Sequence, residues 1–543
     1  MLKRIFPLPL SARLMMAGLM FFYLLVGFCL AGDKQEFPGE SARWYRYQSP
    51  NFELFSAVKD RQSRELLHQL ELLRALFFDT FKLKESQPLP VTVYYFASPK
   101  DFKAYAPEGQ QQTLGGYYLY RPDRAVIAIS PVWSEEFPLH IIFHEYIHHL
   151  NRAIGLTPPL WYNEGVAELF STVEFKPDGV VLGKHLPWHV DSLRARRWLP
   201  LETLFAVRSD SPIYNNGKHS GQFYAESWAL LHYLRYGETN LDKDKIEQLL
   251  NHVMNATPEE DPVVRRQVFE ETIGMDYEEM EARLMEYAQK GTFYSYKAKL
   301  PPVPDMKSYQ RRAMPKQEIR VGLAELSLRV NQSANARLCL LEASEKNPAN
   351  PRYWEALGAD AWYSDDLEVM AERWQRALDE GSDNPAIIHE LSQRESRRWF
   401  ANFDFNFRLP EGRAQQLRTL LRRSIACAPE QSDAYEMLAW VEASVVKPDL
   451  ANIKLVEQRF PKVRQKTRTV LALALVRVRM DERAEAGKLL DELDRMNPEY
   501  WVASAAETVR AKLEDRAPRK INPPVASPPP HLRLRMDLPG LLQ

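Results

Sequence analysis

The sequence predicts an α+β domain in the N-terminal half of the chain and an all-α array of helical repeats in the C-terminal half. Between about residues 44 and 296, short segments rich in β-branched and aromatic residues alternate with longer amphipathic segments, which is typical of strands mixed with helices. The segment 301–315 then contains four prolines. Beyond it, from residue 316 to about 515, almost every segment has helical spacing and the pattern repeats.

Composition indicates an ordinary globular protein with more than one domain. The chain has 543 residues, of which 45% are hydrophobic and 26% are charged. A chain of this length usually forms about two to four domains. Its 71 basic and 72 acidic side chains nearly cancel, so the broad positive field that draws proteins to nucleic acid is missing. We therefore predict no nucleic-acid partner.

The N-terminal segment, residues 1–31, resembles an export signal. Three basic residues precede an uncharged apolar run over residues 14–32. Cleavage after Ala31 fits the preference for small residues at such sites, but the run is also nearly long enough to cross a bilayer. A cleaved signal peptide and an uncleaved membrane anchor both fit. Either one predicts an exported protein, periplasmic or extracellular.

Cysteine usage argues against a disulfide framework. Removal of the N-terminal segment would leave only Cys339 and Cys427. Two cysteines cannot staple a chain of this length, so we predict that both fill helix cores as small apolar side chains.

The N-terminal domain is predicted over residues 42–300. The run at 157–159, Thr-Pro-Pro, ends one long helix, and a further helix begins near Asn163. The other predicted elements are strands at residues 51–57, 91–96 and 124–130, a helix over residues 61–81, and a helix that starts near Ser134 and contains PLHIIFHEYIHHLNR.

The C-terminal half is divided into three predicted parts. Residues 301–315 are a proline-rich linker, residues 316–515 are the helical array, and residues 516–543 are a proline-rich disordered tail. Within the array, the alternating aromatic residues of NFDFNFR, at 402–408, interrupt the pattern and predict an extended inserted loop.

The helical array has the residue spacing of a known repeat. The pattern resembles the tetratricopeptide family, in which small residues let paired helices approach closely and large residues fill the gap. The resemblance implies four or five degenerate units that bind a partner protein. Its positions are Ala336, Leu340, Ala343 and Pro348, then Trp354, Leu357, Gly358, Trp374 and Ala377, and later Ala426, Pro429, Tyr435, Leu438, Ala439, Ala486, Leu490, Leu493 and Pro498.

The most specific motif in the sequence is H-E-x-x-H, at His144, Glu145 and His148. Residues four apart lie on one face of a helix, so both imidazoles can reach a single cation. Glu145 would then lie beside the same ion, where it could take a proton from an attacking water. An amphipathic helix with its polar face in water produces the same five residues by chance, so the motif alone leaves that alternative open.

A carboxylate downstream completes the pattern. A catalytic zinc ion needs a third protein ligand, and the segment WYNEG supplies Glu164 after 15 intervening residues. Such a gap suits a helix, a tight turn and a second helix that folds back. Glu168 lies four residues further along the same face, where it is placed to hydrogen-bond a liganding histidine from behind.

HEYIHH followed by WYNEGVAE resembles the gluzincin metallopeptidases, specifically the peptidase MA-like group, over roughly residues 42–300. The resemblance implies an α+β zincin-like metallopeptidase domain with Zn²⁺ as its cofactor. It also implies that the ligands are His144, His148 and Glu164, and that Glu145 is the general base.

Three further expectations come from the same resemblance. The strand before the motif helix, residues 125–129, should border the substrate cleft, where an extended peptide adds by main-chain hydrogen bonds. Tyr224 is the best candidate to stabilise the oxyanion, although its neighbours Phe223 and Trp228 fit a core helix equally well. Aminopeptidases of this group capture the substrate amine with a glutamate, whereas the matching TLGGYYLY at 113–120 holds no acid and favours internal cleavage.

Taken together, these features predict an exported zinc-dependent peptidase whose repeats recruit a protein substrate or partner. The alternative is a catalytically silent head carried by a scaffold or adaptor whose helical repeats bind a partner protein. The complete set of ligands and base favours the enzyme. A membrane would be involved only through the N-terminal segment.

Overall fold

The protein is described by a computed structural model over most of its length. The N-terminal segment 1–31, the predicted helix start near Ser134, Thr157, and residues 522–543 of the predicted tail lie outside the described residues. The described ranges are 36–83, 89–107, 115–131, 139–153, 158–215, 217–237, 240–256, 261–331, 333–400, 404–427, 429, 432–463 and 465–521.

A mixed six-stranded sheet lies at the centre of the N-terminal half. Three neighbouring strands, which match the predicted runs at 51–57, 91–96 and 124–130, are parallel to one another, and the remaining pairs are antiparallel. A second, three-stranded sheet consists of β6 (Glu174–Lys176), β7 (Gly179–Leu182) and β8 (Tyr296–Ala298). The order across the large sheet is β4 (Gly116–Tyr120), β5 (Ala125–Ile129), β3 (Val91–Tyr95), β2 (Phe52–Ser56), β1 (Tyr45–Gln48) and β9 (Gln310–Ala313).

The strand before the motif helix lies inside the sheet and not at its edge. Strand β5 pairs with β3 on one side and with β4 on the other, so its main-chain groups are already used. This corrects the expectation that residues 125–129 border the cleft. A tight turn, in which Arg121 N donates to Arg124 O at 3.1 Å, places β4 outside β5. The edge strand therefore comes from the YYLY part of TLGGYYLY.

Residues 301–315 do more than connect the two halves. They contain β9, which pairs with β1 and forms the second edge of the sheet. Met314, directly after the strand, is buried, and its main-chain N donates to Trp44 O at 3.0 Å. The prediction of a linker missed this strand because the four prolines of the segment all flank it, and none removes a hydrogen-bond donor from it.

Eleven helices of the described N-terminal half surround the sheets. Two of the helices, α1 and α3, pack on one face of the large sheet. They share a core with side chains of β2, β3 and β5, among them Leu54, Val93 and Ile127. The helices are α1 (Asp60–Thr80), α2 (Pro99–Lys103), α3 (His140–Ala153), α4 (Leu160–Ser171), α5 (Pro187–Ala195), α6 (Leu201–Ala206), α7 (Pro212–Asn215), α8 (Gly217–Tyr236), α9 (Lys243–Asn255), α10 (Pro262–Ile273) and α11 (Tyr277–Lys290).

The C-terminal half is helical. Its helices follow one another in pairs whose first members begin at residues 316, 351, 385, 432 and 466, with a last helix at 500, so successive pairs start 35, 34, 47, 34 and 34 residues apart. The helices are α12 (Lys316–Asn331), α13 (Ala334–Lys346), α14 (Pro351–Tyr363), α15 (Leu367–Asp379), α16 (Pro385–Phe400), α17 (Glu411–Cys427), α18 (Ser432–Ala443), α19 (Leu450–Arg459), α20 (Lys466–Arg479), α21 (Arg483–Arg495) and α22 (Tyr500–Leu513).

The one long spacing contains the predicted insertion. Residues 404–410 form neither helix nor strand, so the described part of NFDFNFR is a loop inserted in the array. Phe405 packs against the array, because the guanidinium of Arg479 lies 5.0 Å from its ring centre and donates to its carbonyl oxygen. The insertion is therefore anchored to α20.

The first helices of the array cover the second face of the large sheet. Phe55, Tyr94 and Val126 point to this face and share one core with Leu323 of α12 and Leu357 of α14. The sequence predicts two separate domains, at residues 42–300 and 316–515, whereas in the structure this shared core joins them. The reason lies in the strands, which are apolar on both faces, so that the second face must be covered by another layer.

Two sequence expectations concern membranes and cysteines. Among the described residues, every helix is too short or too polar to cross a membrane. Cys339 and Cys427 are unpaired and half-buried, on α13 and α17.

Candidate metal centre

Helices α3 and α4 pack together and bring the three predicted ligands to one point. His148 Nε2 lies 3.1 Å from His144 Nε2 and 3.1 Å from Glu164 Oε2, and His144 Nε2 lies 3.2 Å from the same oxygen. The two imidazoles share a face of α3 because they are four residues apart. Within the described part of the chain, these residues form the single group of three donors suited to a metal ion.

Two contacts hold the ligand helices in place. Asn151 Nδ2 of α3 donates to Asn163 Oδ1 of α4 at 2.8 Å, next to the liganding glutamate. On the other side, α8 lies directly against α4 at Gly165, where an added Cβ would lie only 2.7 Å from Ser227 O. The glycine of WYNEGVAE is therefore required by the close approach of two helix backbones.

The donor set fits zinc in both type and spacing. Two imidazole nitrogens and one carboxylate oxygen are a typical ligand set of catalytic zinc, and bonds of 2.0–2.2 Å in a tetrahedron separate the ligand atoms by about 3.3–3.5 Å. The measured separations of 3.1–3.2 Å are close to that value. Side-chain exposure is 2% for Glu164 and 13% for His144, so the carboxylate is sealed while a histidine reaches solvent.

A second row of side chains lies behind the donors. His144 Nδ1 is 3.4 Å from Glu168 Oε1, and the other oxygen of Glu168 is 3.1 Å from His189 Nε2. The structure thus places Glu168 behind His144, one of the three predicted ligands, where it can orient the ring. His189, on α5, was not identified from the sequence because PWHV matches no motif. His148 Nδ1 is buried and has no hydrogen-bond partner among the residues described.

The electrostatic field at the cluster favours positive charge. Burial alone would raise the pKa of Glu164, but His148 and His144 outweigh it and hold that pKa well below the ordinary value. Burial would also raise the pKa of Glu168, but His144 and His189 have the larger combined effect and lower it. In the same field the pKa of His144 is raised well above its ordinary value, because the two carboxylates outweigh the effect of burial. A divalent cation would satisfy the same pair of ionised carboxylates.

Tyr214 is a site residue that sequence reasoning missed. Its hydroxyl donates to Glu164 Oε1 at 2.9 Å, whereas the two histidines lie near the other oxygen of that carboxylate. The predicted Tyr224 lies next to it, hydrogen-bonded to Tyr214 and with its ring centre 6.0 Å from that of His144. Burial and then the charge of Glu164 raise the pKa of both phenols, so both hydroxyls remain donors. No motif marks Tyr214, which reaches the site because the short helix α7 packs on α8.

Glu145 follows His144 on α3, and its charge acts on three tyrosines around the cluster. Its side chain is half-buried, and its negative charge adds to the effect of burial in raising the pKa values of Tyr118, Tyr214 and Tyr224. Tyr118 belongs to β4, whereas Tyr224 belongs to α8. The general-base candidate is therefore within electrostatic reach of both β4 and α8.

Three further histidines lie outside the donor group. The ring of His140 is 5.3 Å from that of Trp188, at the start of α5. His149 points toward the sheet, where Tyr118 Oη lies 2.9 Å from its Nδ1, and burial lowers its pKa to about 3. His232 is buried in α8, and burial lowers its pKa to about 4. Both His149 and His232 are neutral packing residues.

Comparison of this sequence with protein-family models and with curated proteins yields no match. The meaning of the site therefore depends on the chemistry and geometry of the residues themselves.

Proposed function

We propose that this chain is an exported zinc-dependent peptidase, a gluzincin of the peptidase MA-like group, that cleaves internal peptide bonds. The observation that carries the proposal is the convergence of His144, His148 and Glu164 within 3.1–3.2 Å of one another, with Glu145 beside them. Export is proposed from the N-terminal segment alone.

Each side chain of the site has a role in this proposal. His144, His148 and Glu164 would hold zinc, which when bound supplies a Lewis acid that polarises the scissile carbonyl and makes a water more acidic. Glu145 takes a proton from the attacking water and later delivers it to the leaving amine. Tyr224, which donates to Tyr214 in the free site, would turn its hydroxyl to the oxygen on which negative charge develops.

The second row keeps these groups aligned. Glu168 orients the His144 ring through Nδ1, and Tyr214 occupies the oxygen of Glu164 that does not face the histidines. A ligand carboxylate with one oxygen already bonded presents only the other to a cation. This arrangement reduces the reorganisation needed when a metal binds.

Among the described strands none pairs with the outer side of β4, and this supports an extended peptide as the substrate. Hydrogen bonds from Ser130 N to Gly115 O and from Arg121 N to Arg124 O show which residues of β4 are hydrogen-bonded to β5. Because these residues alternate along an antiparallel pair, the main-chain N–H and C=O groups of Gly116, Tyr118 and Tyr120 point away from β5. A peptide that pairs with Gly116 and Tyr118 would run along the strand that packs on the motif helix.

The C-terminal helices support a tetratricopeptide-like array. Four of the five spacings are 34 or 35 residues, the length of that repeat. The small-and-large pairing is also present, because a Cβ on Gly358 would overlap the Trp374 indole of the next helix. The array is proposed to recruit a protein substrate or partner.

The decisive experiment combines metal content with peptide cleavage. We expect purified protein to contain about one zinc per chain and to cleave members of a peptide library. Glu145→Gln should retain the zinc and lose about 10²- to 10⁴-fold in turnover, since a general base is removed. Glu247→Gln, which neutralises an exposed carboxylate on α9, is the matched control and should behave like the unmodified protein.

His144→Ala should lose both zinc and cleavage. If Glu145→Gln cleaves as fast as the unmodified protein, the peptidase proposal is wrong, and the scaffold with a silent head becomes the better account.

A further inference from the structure

The turn between β4 and β5 is held by the helical array. Asp123 lies in this turn and is fully buried, and each of its oxygens receives one Nη atom of Arg329 at 2.6 Å. Its carbonyl oxygen accepts a 2.7 Å hydrogen bond from Asn384 Nδ2, at the start of α16. Such a two-pronged pair between buried charges is strongly directional, so it fixes the turn relative to α12.

The residues on both sides of Asp123 are held as well. Arg124 Nη2 lies 2.6 Å from Glu355 Oε2 of α14. The guanidinium of Arg121 donates to Arg329 O and lies 4.5 Å from the centre of the Tyr363 ring. Three of the four turn positions thus contact the array through charged groups.

The same hairpin carries the strand that borders the metal site. On the face of β4 opposite the array, Tyr118 bonds His149 of α3, and the guanidinium of Arg152 lies 5.1 Å from the centre of the Tyr120 ring. A Cβ on Gly116 would lie 3.2 Å from the side chain of Ile142. Strand β4 is therefore packed between the motif helix and a turn that the array holds.

We propose that the Asp123–Arg329 pair is a positioning device, through which the docked array fixes the β4 edge next to the metal centre. This inference rests on the proposed function, because the edge is taken to bind the substrate. A peptide long enough to add to β4 then binds well only when the Asp123–Arg329 ion pair is intact. A short peptide that does not reach β4 binds equally well with or without that ion pair. Asp123 and Arg329 do not touch substrate; they act through the strand.

The test uses the intact chain and a matched pair of substitutions. Arg329→Lys keeps the charge but loses the two-pronged geometry. Arg418→Lys is the control, because Arg418 also makes a buried two-pronged pair, with Glu442 at 2.9 and 2.8 Å, within α17 and α18. Each variant is assayed with a blocked octapeptide and a blocked tripeptide that share the same cleaved bond.

For Arg329→Lys we expect KM for the octapeptide to rise about tenfold, the change produced by the loss of about 1.4 kcal/mol of binding. Its kcat, its zinc content and its KM for the tripeptide should be unchanged. Both variants should lower the melting temperature of the protein. Arg418→Lys should do so without changing the KM for either peptide. Equal KM values for the octapeptide in the two variants would overturn the proposal.

A second readout does not depend on catalysis. Hydrogen exchange of the amides of Tyr117 and Leu119, which point toward β5, should become at least tenfold faster in Arg329→Lys and remain unchanged in Arg418→Lys. If the unmodified protein cleaves no peptide, the proposed function fails while this measurement still decides the role of the pair. Asp123→Asn replaces Arg329→Lys if the latter does not fold, and unchanged exchange in Asp123→Asn would contradict the proposal.

Discussion

The hydroxyl of Tyr214 donates a 2.9 Å hydrogen bond to Glu164 Oε1, while Oε2 of the same carboxylate lies 3.1–3.2 Å from the nitrogens of His144 and His148. One oxygen is therefore committed to the protein and the other to the metal position. The carboxylate cannot rotate without breaking the bond to Tyr214, so the phenol prepares the site for a cation.

Tyr214→Phe should consequently weaken zinc binding. We expect a loss of about tenfold in affinity, measured by competition with a chromogenic chelator, because outer partners of metal ligands contribute about 10- to 100-fold. Tyr224→Phe is the matched control, since that phenol bonds Tyr214, whereas Tyr214 bonds Glu164 itself. It should bind zinc normally and lower kcat by about 10². Normal zinc affinity in Tyr214→Phe would show that its hydrogen bond does not orient the carboxylate.

Gly165→Ala should separate α4 from α8. The new methyl group would lie 2.7 Å from a backbone oxygen that cannot move without shifting the helix, and overpacking of this kind costs about 1–3 kcal/mol. Because Glu164 is the adjacent residue, zinc content should fall together with the free energy of unfolding. Gly487→Ala, inside α21 with open space around it, should instead stabilise the protein by up to about 1 kcal/mol. Similar urea midpoints for the two variants would contradict this view of the α4–α8 contact.

Glu226 predicts a pH dependence of stability. Burial raises the pKa of this carboxyl on α8 to about 7, compared with 4.5 for an exposed glutamate. Folding therefore favours the protonated form, and the stability that this form contributes is complete below about pH 4.5 and is lost as the pH rises toward 7. The loss amounts to about 3 kcal/mol at most.

Glu226→Gln mimics the protonated side chain and can still accept hydrogen bonds from Leu199 N and Gln222 Nε2. It should raise the urea midpoint at pH 8 and leave it unchanged at pH 4.5. Glu247→Gln, whose carboxylate is exposed, provides the control at both pH values. A midpoint at pH 8 that does not exceed that of the unmodified protein would show that Glu226 ionises without cost.

Peptides methylated on single backbone nitrogens should reveal pairing with β4. Only alternate amides of an added strand face its neighbour, so methylation should raise KM about tenfold at every second position and have little effect between them, since each blocked bond is worth about 1.4 kcal/mol or less. Amides of the peptide that face Tyr118 should be the sensitive ones. A uniform or random effect along the peptide would exclude binding at this edge.

Local sequence patterns predicted much of the head. The runs NFELFSA, VTVYYF and RAVIAIS correspond to the three parallel strands, and the motif residues lie on a helix as predicted. The helix of Glu164 begins at Leu160, slightly before the predicted start near Asn163. Such elements are predictable because hydrophobic periodicity and turn residues act between neighbours in the chain. Strand β9 was missed because the four prolines of residues 301–315 indicated a linker, and a strand of only four residues gives a weak pattern.

The site was predictable to the same extent. The spacing of the H-E-x-x-H motif and of Glu164 identified the three donors, since helix geometry determines which residues share a face. Tyr214 and His189 have no such signal. They reach the cluster through α7 and α5, and their positions depend on how those helices pack.

The sequence by itself determined the element types, the repeat length of the array and the identity of the three donors, because each of these depends on residues within one or two helical turns or on a regular period. Only the tertiary structure decided which strand forms the edge, which side chains stand behind the donors, and that the array is docked on the head. Those features depend on contacts such as that between Asp123 and Arg329, which are separated by 206 positions and meet only after the sheet and the helices have packed.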